Sequence, residues 1–218
     1  CYIAKLMGLP IGRLICATNK NKVLADYFNS GVYDKNRRFY TTVSPSMDIL
    51  VSSNLERLVY FEYGAEFTAS AMDSLKNNGS FKTPFSKAFD SFVGLSCDEE
   101  KTFAVIRDTF DKYTYCPDPH TAVAISCADE YKRITSDNTP MLIVSTASPY
   151  KFPYAVGKAL GVDDDNAFML LKKLSDLTKT KIPSPLARLE NAKVRFGDLI
   201  DDHEMKNAVL VFARNSKR

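Results

Sequence analysis

The sequence predicts a helix-rich α/β fold built on a short, mostly parallel sheet. Two apolar segments have strand character, residues 13–17 and 141–144, and each is followed by a segment whose apolar residues have helical spacing. Strands that alternate with helices are typical of parallel sheets, because a crossover helix carries the chain back to the start of the next strand. At 218 residues with 45% hydrophobic content, the chain can bury an ordinary core.

Start and stop signals place the first elements. Residues 2–7 have the character of the last turns of a helix that Gly8 stops, and the strand at 13–17 leads into a helix over residues 22–28. Gly31 suits the left-handed residue that ends such a helix. The beginning of the chain is therefore predicted to contain a strand followed by a helix.

Capping residues predict the central helices. Ser53 and Glu56 fit a capping box at the start of one helix, and a further helix is expected over residues 65–77. Asp98 opens a helix with two more acids in its first turn, which the helix dipole favours. Asp118 precedes a proline and so has the residue preferences of an N-cap and the position after it.

Three more helices and a loop are predicted after the strand at 141–144. A helix is expected to begin near Pro153, a longer one with an apolar stripe begins at 163–165, and a last helix should cover residues 204–215. The strand itself runs directly into two hydroxyl residues and then two prolines. This arrangement places hydrogen-bond donors at the carboxyl edge of a sheet, where open α/β folds bind ligands, so residues 145–152 are predicted to form a binding loop.

Charge and cysteine content narrow the class of protein. The 29 Lys and Arg against 26 Asp and Glu give a net charge of +3 without a long basic block, which argues against nucleic-acid binding. Five cysteines are odd in number and lack C-x-x-C spacing, which favours reduced thiols in a cytoplasmic protein over a disulfide framework. No signal peptide and no apolar run of membrane-spanning length are present in the sequence, so no membrane association is expected.

Several kinds of catalytic site are not predicted. The chain has two histidines, His120 and His203, so neither a histidine-rich metal site nor a Ser-His-Asp triad is expected. Its nine glycines never approach G-x-G spacing, which removes the backbone cradle of a phosphate-binding loop. Lys82 follows a polar turn and is interpreted as a surface lysine rather than a lysine that binds a cofactor covalently.

Several segments together resemble the threonine synthases. Residues 2–19 are similar to the family's segment after its glycine-rich phosphate loop, and two blocks within residues 44–57, the first reading Ser-Pro-Ser-Met-Asp-Ile, are similar to its central active-site segment. Residues 118–122 read Asp-Pro-His-Thr-Ala, as in the family. Residues 145–152 resemble its Thr-Ala-His-Pro-x-Lys-Phe loop, with Ser148 in place of the histidine. The shared order of these motifs over nearly the whole chain carries the resemblance.

The resemblance implies a partial fold-type II architecture, like that of the tryptophan synthase β chain. It also implies an activity: a lyase of threonine biosynthesis that uses pyridoxal 5'-phosphate (PLP) to convert O-phospho-L-homoserine and water into L-threonine and phosphate. The family's Schiff-base lysine and its Ser-Gly-Asn-Phe-Gly loop have no counterpart in the chain and are expected upstream of Cys1. No catalytic residue is therefore assigned within the chain.

We accordingly expect a carboxy-terminal fragment of the enzyme. Residues 1–160 would be the later part of the PLP-binding domain, and residues 161–218 a carboxy-terminal helical extension. The fragment is expected to be inactive and without bound PLP when isolated. Its partner would be the missing amino-terminal part of the same protein, and the apolar surface left uncovered would favour self-association.

The resemblance also suggests roles for residues of the binding loop. Thr146 would face the pyridine nitrogen of PLP, with help from Ser145, because fold-type II enzymes place a hydroxyl there. The alternative is that Thr146 only caps the strand through a local bond to the backbone. Lys151 would hold the phosphate or carboxylate of the substrate, or else be an ordinary surface lysine.

Four further residues are expected to bind the substrate or line its pocket: His120, Asp118, Asn19 and Asp48. For each of them a purely structural role, in a turn or a helix cap, is the alternative. Two other functions also stay open at this point. The chain could be an autonomous, non-enzymatic ligand-binding or regulatory α/β domain, or a portion of another PLP-dependent lyase of the same fold.

Overall fold

Two small sheets form in the first part of the chain. The computed structural model describes residues 1–84, 89–195, 197 and 199–215, and its contacts divide the chain into two units, Cys1–Pro183 and Ser184–Arg218. The strands are β1 (Leu14–Thr18), β2 (Val32–Asp34), β3 (Ser80–Lys82) and β4 (Phe92–Ser96). β1 pairs with β4 in parallel, and β2 pairs with β3 antiparallel. The predicted helix-rich α/β class with a short parallel sheet is confirmed.

Helices make up most of the rest of the described chain. In the first unit they are α1 (Tyr2–Leu6), α2 (Val23–Ser30), α3 (Ser53–Asn78), α4 (Glu99–Tyr113), α5 (Pro119–Thr135), α6 (Pro153–Leu160) and α7 (Ala167–Thr178). In the second unit they are α8 (Ser184–Ala187) and α9 (Met205–Asn215).

Local capping explains where several helices begin and end. The Asp98 carboxylate accepts a hydrogen bond from the Lys101 backbone N–H at the start of α4, as predicted. Gly31 ends α2 with φ of 72°, the left-handed conformation that glycine adopts without strain. α3 is interrupted at Gly64 (φ 79°, ψ 179°), so it contains both of the helices predicted there. Its cap is Ser52, one residue before the predicted Ser53.

The start of α7 also differs from the expectation. The helix begins at Ala167 rather than within residues 163–165, because the Asn166 side chain accepts hydrogen bonds from the Phe168 and Met169 backbone N–H groups and acts as the N-cap. Its apolar stripe is otherwise as predicted, with Leu170 and Leu174 buried.

Helix α2 lies directly against the parallel sheet. A Cβ added to Gly94 of β4 would stand 2.1 Å from the backbone oxygen of Ala25 in α2, so only glycine permits this approach. The side chain of Asn29, also in α2, accepts a hydrogen bond from the Gly94 N–H and donates one to the Gly94 carbonyl, each at 2.9 Å. These bonds satisfy backbone groups of β4 that β1 does not reach.

The predicted strand at residues 141–144 is not formed. Leu142 is 91% exposed and Val144 is 53% exposed, and no described strand pairs with this segment. Its apolar residues have the side-chain character of a strand, but a strand also needs a neighbour to satisfy its backbone groups. Conversely, β4 was missed, although an apolar run directly before the cap at Asp98 could have indicated it.

The second unit contains only short helices, and none of its described residues is buried. The contacts divide the chain at Pro183, so α7 belongs to the first unit. The division at residue 160 concerns the domains of the parent enzyme and stays a prediction. Within the described residues, every helix is too short or too polar to span a bilayer.

Candidate functional site

The candidate site begins at the carboxyl end of β1, where Asn19 follows the strand. Asn19 is 3% exposed, and its Nδ2 lies 2.7 Å from Asp48 Oδ1, 2.8 Å from Thr42 Oγ1 and 3.0 Å from Ser44 Oγ. Because an amide carries two hydrogens, these acceptors fully occupy it. Asn19 therefore attaches the loop at 42–48 to the end of the strand.

Asp48 fixes the same loop from within. Its Oδ1 accepts hydrogen bonds from the Thr42 hydroxyl at 2.7 Å and from Asn21 Nδ2 at 3.1 Å, and its Oδ2 accepts one from the Thr42 backbone N–H at 2.8 Å. Both oxygens of the carboxylate are thus occupied by protein donors. The structure brings Asn19 and Asp48 together in a network of hydrogen bonds among protein groups.

Asp118 organises the start of α5. Its side chain is fully buried, and Oδ1 accepts hydrogen bonds from the His120 backbone N–H at 2.9 Å and from His120 Nδ1 at 2.8 Å. Oδ2 accepts a hydrogen bond from the Thr121 hydroxyl. Burial alone would raise the pKa of the Asp118 carboxyl, but the hydrogen bonds from His120 and Thr121 outweigh it and hold the pKa below the ordinary value of 3.8. Asp118 is therefore ionised at neutral pH.

His120 joins three segments of the chain. Its Nε2 accepts a hydrogen bond from the Ser46 backbone N–H at 3.1 Å, which connects α5 to the loop at 42–48. Since an N–H group can only donate, Nε2 carries no hydrogen and Nδ1–H donates to Asp118. The ring also packs on Phe152, with 4.7 Å between ring centroids. His120 is thus neutral in this arrangement, with both ring nitrogens occupied.

The predicted binding loop contacts the start of α5 through Ser145. Ser145 Oγ lies 3.1 Å from Thr121 Oγ1 and 3.1 Å from the Tyr115 hydroxyl. Thr146 is exposed, and its hydroxyl has no hydrogen-bond partner among the described residues. The local capping bond that was the alternative role for Thr146 is not formed there.

A buried tyrosine anchors the second half of the loop. Tyr150 is 5% exposed, and its hydroxyl lies 2.8 Å from the Thr180 carbonyl oxygen and 3.2 Å from the Thr178 hydroxyl at the end of α7. Ser148, which stands where the family has histidine, accepts a hydrogen bond from the Tyr150 N–H at 3.3 Å. The loop is therefore anchored near both of its ends, by Ser145 to the start of α5 and by Tyr150 to the end of α7.

Lys151 stands on the exposed side of this loop. Its Nζ lies 5.9 Å from the centroid of the Phe152 ring, and it has no carboxylate partner among the residues that the structure describes. Lys82 is likewise exposed, on β3, as the sequence predicted. Two of the residues predicted to form the site, Thr146 and Lys151, have side-chain polar groups without a hydrogen-bond or ion-pair partner among the described residues.

Comparison with known proteins finds similarity to one group of enzymes. A family model described as "Threonine synthase, C-terminal" matches residues 121–209. The chain is homologous to the carboxy-terminal part of threonine synthases. The Pseudomonas aeruginosa threonine synthase is 37% identical over 202 residues, which are 87% of this chain and 41% of that protein.

Two solved threonine synthase structures agree with this assignment. The PLP-bound threonine synthase from Brucella melitensis is 35% identical, with a TM-score of 0.73 over 91% of this chain and 39% of that one. The yeast threonine synthase is 32% identical, with a TM-score of 0.75 over 95% of this chain and 43% of that one. The chain therefore spans about two fifths of the length of the threonine synthases that it matches.

Three contributors to the site were not predicted: Tyr115, Thr121 and Tyr150. Thr121 lies in the Asp-Pro-His-Thr-Ala motif, so the motif itself could have indicated it. Tyr115 and Tyr150 find their partners 30 residues away in sequence, and no local pattern marks such pairs.

Proposed function

We propose that this chain is the carboxy-terminal portion of a threonine synthase, which converts O-phospho-L-homoserine and water into L-threonine and phosphate with PLP. The proposal rests on one observation. The exposed Thr146 hydroxyl has no hydrogen-bond partner among the described residues, although hydrogen bonds of Ser145 and Tyr150 hold its loop in place. The homology to threonine synthases over most of the chain supports it. The lysine that binds PLP covalently would lie on polypeptide outside this chain.

The residues around Thr146 fit PLP. A hydroxyl is the group that would face the pyridine nitrogen as a neutral partner, and the Asp118 and Asp48 carboxylates already accept hydrogen bonds from protein donors. When bound, PLP would supply an electron sink for carbanion chemistry at the substrate. Thr146 would orient the ring, and Ser145 would support the loop beside it.

One of the remaining predicted residues, Lys151, is free to bind the substrate, and the other four hold loops in position. Lys151 carries an exposed positive charge on the same loop, which suits the phosphate or carboxylate of the substrate. For Asp118, His120, Asn19 and Asp48 we revise the expected substrate contacts, because their polar atoms are already bonded within the protein. We propose that these four residues position the loops instead.

The exposed apolar side chains of residues 141–144 favour the binding of a partner polypeptide at this surface. Side chains alternate there, with Met141 and Ile143 half-buried and Leu142 and Val144 exposed, as in a strand with one covered face. Among the described residues no strand pairs with this apolar segment, and an unpaired segment of this kind is a ready site for strand addition. We propose that the amino-terminal part of the parent enzyme pairs with it; self-association of the isolated chain through this segment stays a prediction. The free thiols also support a cytoplasmic location for the parent.

Enzyme assays on the complete open reading frame that encodes this sequence would test the proposal. With PLP and O-phosphohomoserine, it should release threonine and phosphate in equal amounts, whereas the 218-residue chain should release neither. Thr146→Val should lower kcat about tenfold, the value of one hydrogen bond to a ligand. Thr139→Val, at an exposed threonine outside the loop, is the matched control. A complete protein that makes no threonine would favour the non-enzymatic alternative.

A further inference from the structure

Two positively charged side chains lie over the same aromatic ring at the carboxyl end of β1. Lys20 follows Asn19 directly in the chain, and its Nζ lies 4.4 Å from the centroid of the Tyr40 ring. The guanidinium Cζ of Arg38 lies 5.1 Å from the same centroid. Because the face of an aromatic ring attracts cations, the Tyr40 ring keeps both positive charges close together.

Neither of these two cations has a carboxylate partner in the part of the chain that the structure describes. The Asp26 carboxylate pairs instead with two other cations of this region, Lys22 at 3.4 Å and Arg37 at 2.7 Å. The side chains of Lys20 and Arg38 are exposed, and they form no ion pair or hydrogen bond among the described residues. Since two like charges repel each other, an anion that contacts both would gain attraction from each.

A buried side chain fixes the residue that holds the two cations. Asn21 is 2% exposed, its Nδ2 donates a hydrogen bond to the Tyr40 carbonyl oxygen at 2.7 Å, and its Oδ1 accepts one from the Tyr40 N–H at 2.9 Å. The same Nδ2 lies 3.1 Å from Asp48 Oδ1, which joins Tyr40 to the hydrogen-bond network of Asn19. The backbone of Tyr40 is therefore held in place without a ligand, which lowers the entropy cost of binding one.

We propose that Lys20 and Arg38, held at the Tyr40 ring, form a binding site for a phosphate dianion. A guanidinium group presents paired N–H donors that match two phosphate oxygens, and an ammonium group adds a compact positive charge. A carboxylate carries a single charge and gains less from two cations. Because β1 also ends at the candidate site, these cations attract phosphate-bearing molecules to that edge of the sheet. Only the identification of such a molecule as O-phosphohomoserine rests on the proposed function.

Titration of the ¹⁵N-labelled 218-residue chain with inorganic phosphate, followed by nuclear magnetic resonance at constant ionic strength, tests the site. The backbone signals of Lys20, Arg38 and Tyr40 should shift and saturate, with a Kd of about 1–10 mM. Lys20→Gln/Arg38→Gln should raise this Kd at least about tenfold. Lys76→Gln/Lys181→Gln, which removes two exposed cations elsewhere, is the matched control and should bind phosphate as the unmodified chain does.

Three results of this titration would overturn the proposal: signals that shift without saturating, an unchanged Kd in Lys20→Gln/Arg38→Gln, or equally tight binding of acetate.

Kinetics of the complete parent protein then address the molecule that carries the phosphate. Lys20→Gln/Arg38→Gln should raise KM for O-phosphohomoserine about tenfold with a much smaller change in kcat, because the two cations attract the substrate. An unchanged KM would overturn the assignment of the site to this substrate. A complete protein that makes no threonine would refute the proposed function, whereas phosphate binding by the 218-residue chain would still stand.

Discussion

Removal of the Asp118 carboxylate should destabilise the first unit more than the loss of an ordinary helix cap. Asp118→Ala removes the cap of α5, which costs about 1 kcal/mol. It also leaves the buried Nδ1–H of His120 without a partner, which costs about 1–3 kcal/mol. The Thr121 hydroxyl can turn to Ser145 and adds little. We expect a total of about 3 kcal/mol in the free energy of unfolding.

Urea-induced unfolding, followed by circular dichroism, measures this difference. With a slope of about 2 kcal/mol per molar, the midpoint should fall by about 1.5 M. The matched control is Asp98→Ala at the N-cap of α4. Among the described residues its carboxylate accepts only the Lys101 backbone N–H, so the midpoint should fall by about 0.5 M. Equal shifts for the two variants would refute the role assigned to the side-chain bonds of Asp118.

Three further outcomes follow from the packing and the titrating groups. Gly94→Ala should cost about 1–3 kcal/mol in unfolding free energy, because the new methyl group meets the backbone of α2, while Gly12→Ala, with no atom within 4 Å, should leave the urea midpoint unchanged. Ellman's reagent should modify exposed Cys1 quickly and Cys16 far more slowly, because burial raises the pKa of Cys16 to about 12; similar rates would contradict this. Because the folded-state pKa of Asp118 lies below 3.8, its ionised form stabilises the fold above that pH. The unmodified chain should therefore exceed Asp118→Asn in unfolding free energy by less and less as the pH falls below 3.8. A difference in unfolding free energy that does not change with pH would refute this prediction.

Helices were predictable from sequence wherever their signals are local. The caps at Asp98 and Asp118 act on backbone groups two or three residues away, and Gly31 ends α2 through its own backbone conformation. Such interactions depend on neighbouring residues alone, so the sequence contains all that is needed to predict them. Errors of one to four residues arose where another polar side chain, such as Asn166, competed for the cap.

Strands were harder to predict because a strand is defined by its partner. The segment at 141–144 has an apolar sequence but no partner strand within the described residues. By contrast, β4 pairs with β1 although Leu14 and its partner Phe92 are 78 positions apart in sequence. The site shows the same limit. Its residue types and motifs indicated Asp118 and His120, but only the folded chain shows that their polar atoms are bonded to each other and to Ser46.

A crystal structure of the complete parent protein with PLP bound would test the central proposal most directly. We predict that Thr146 Oγ1 lies about 2.7–3.2 Å from the pyridine nitrogen, within hydrogen-bond distance. The Ser145 hydroxyl should remain bonded to Thr121. A pyridine nitrogen that faces a carboxylate, or a Thr146 side chain turned away from the ring, would contradict the account.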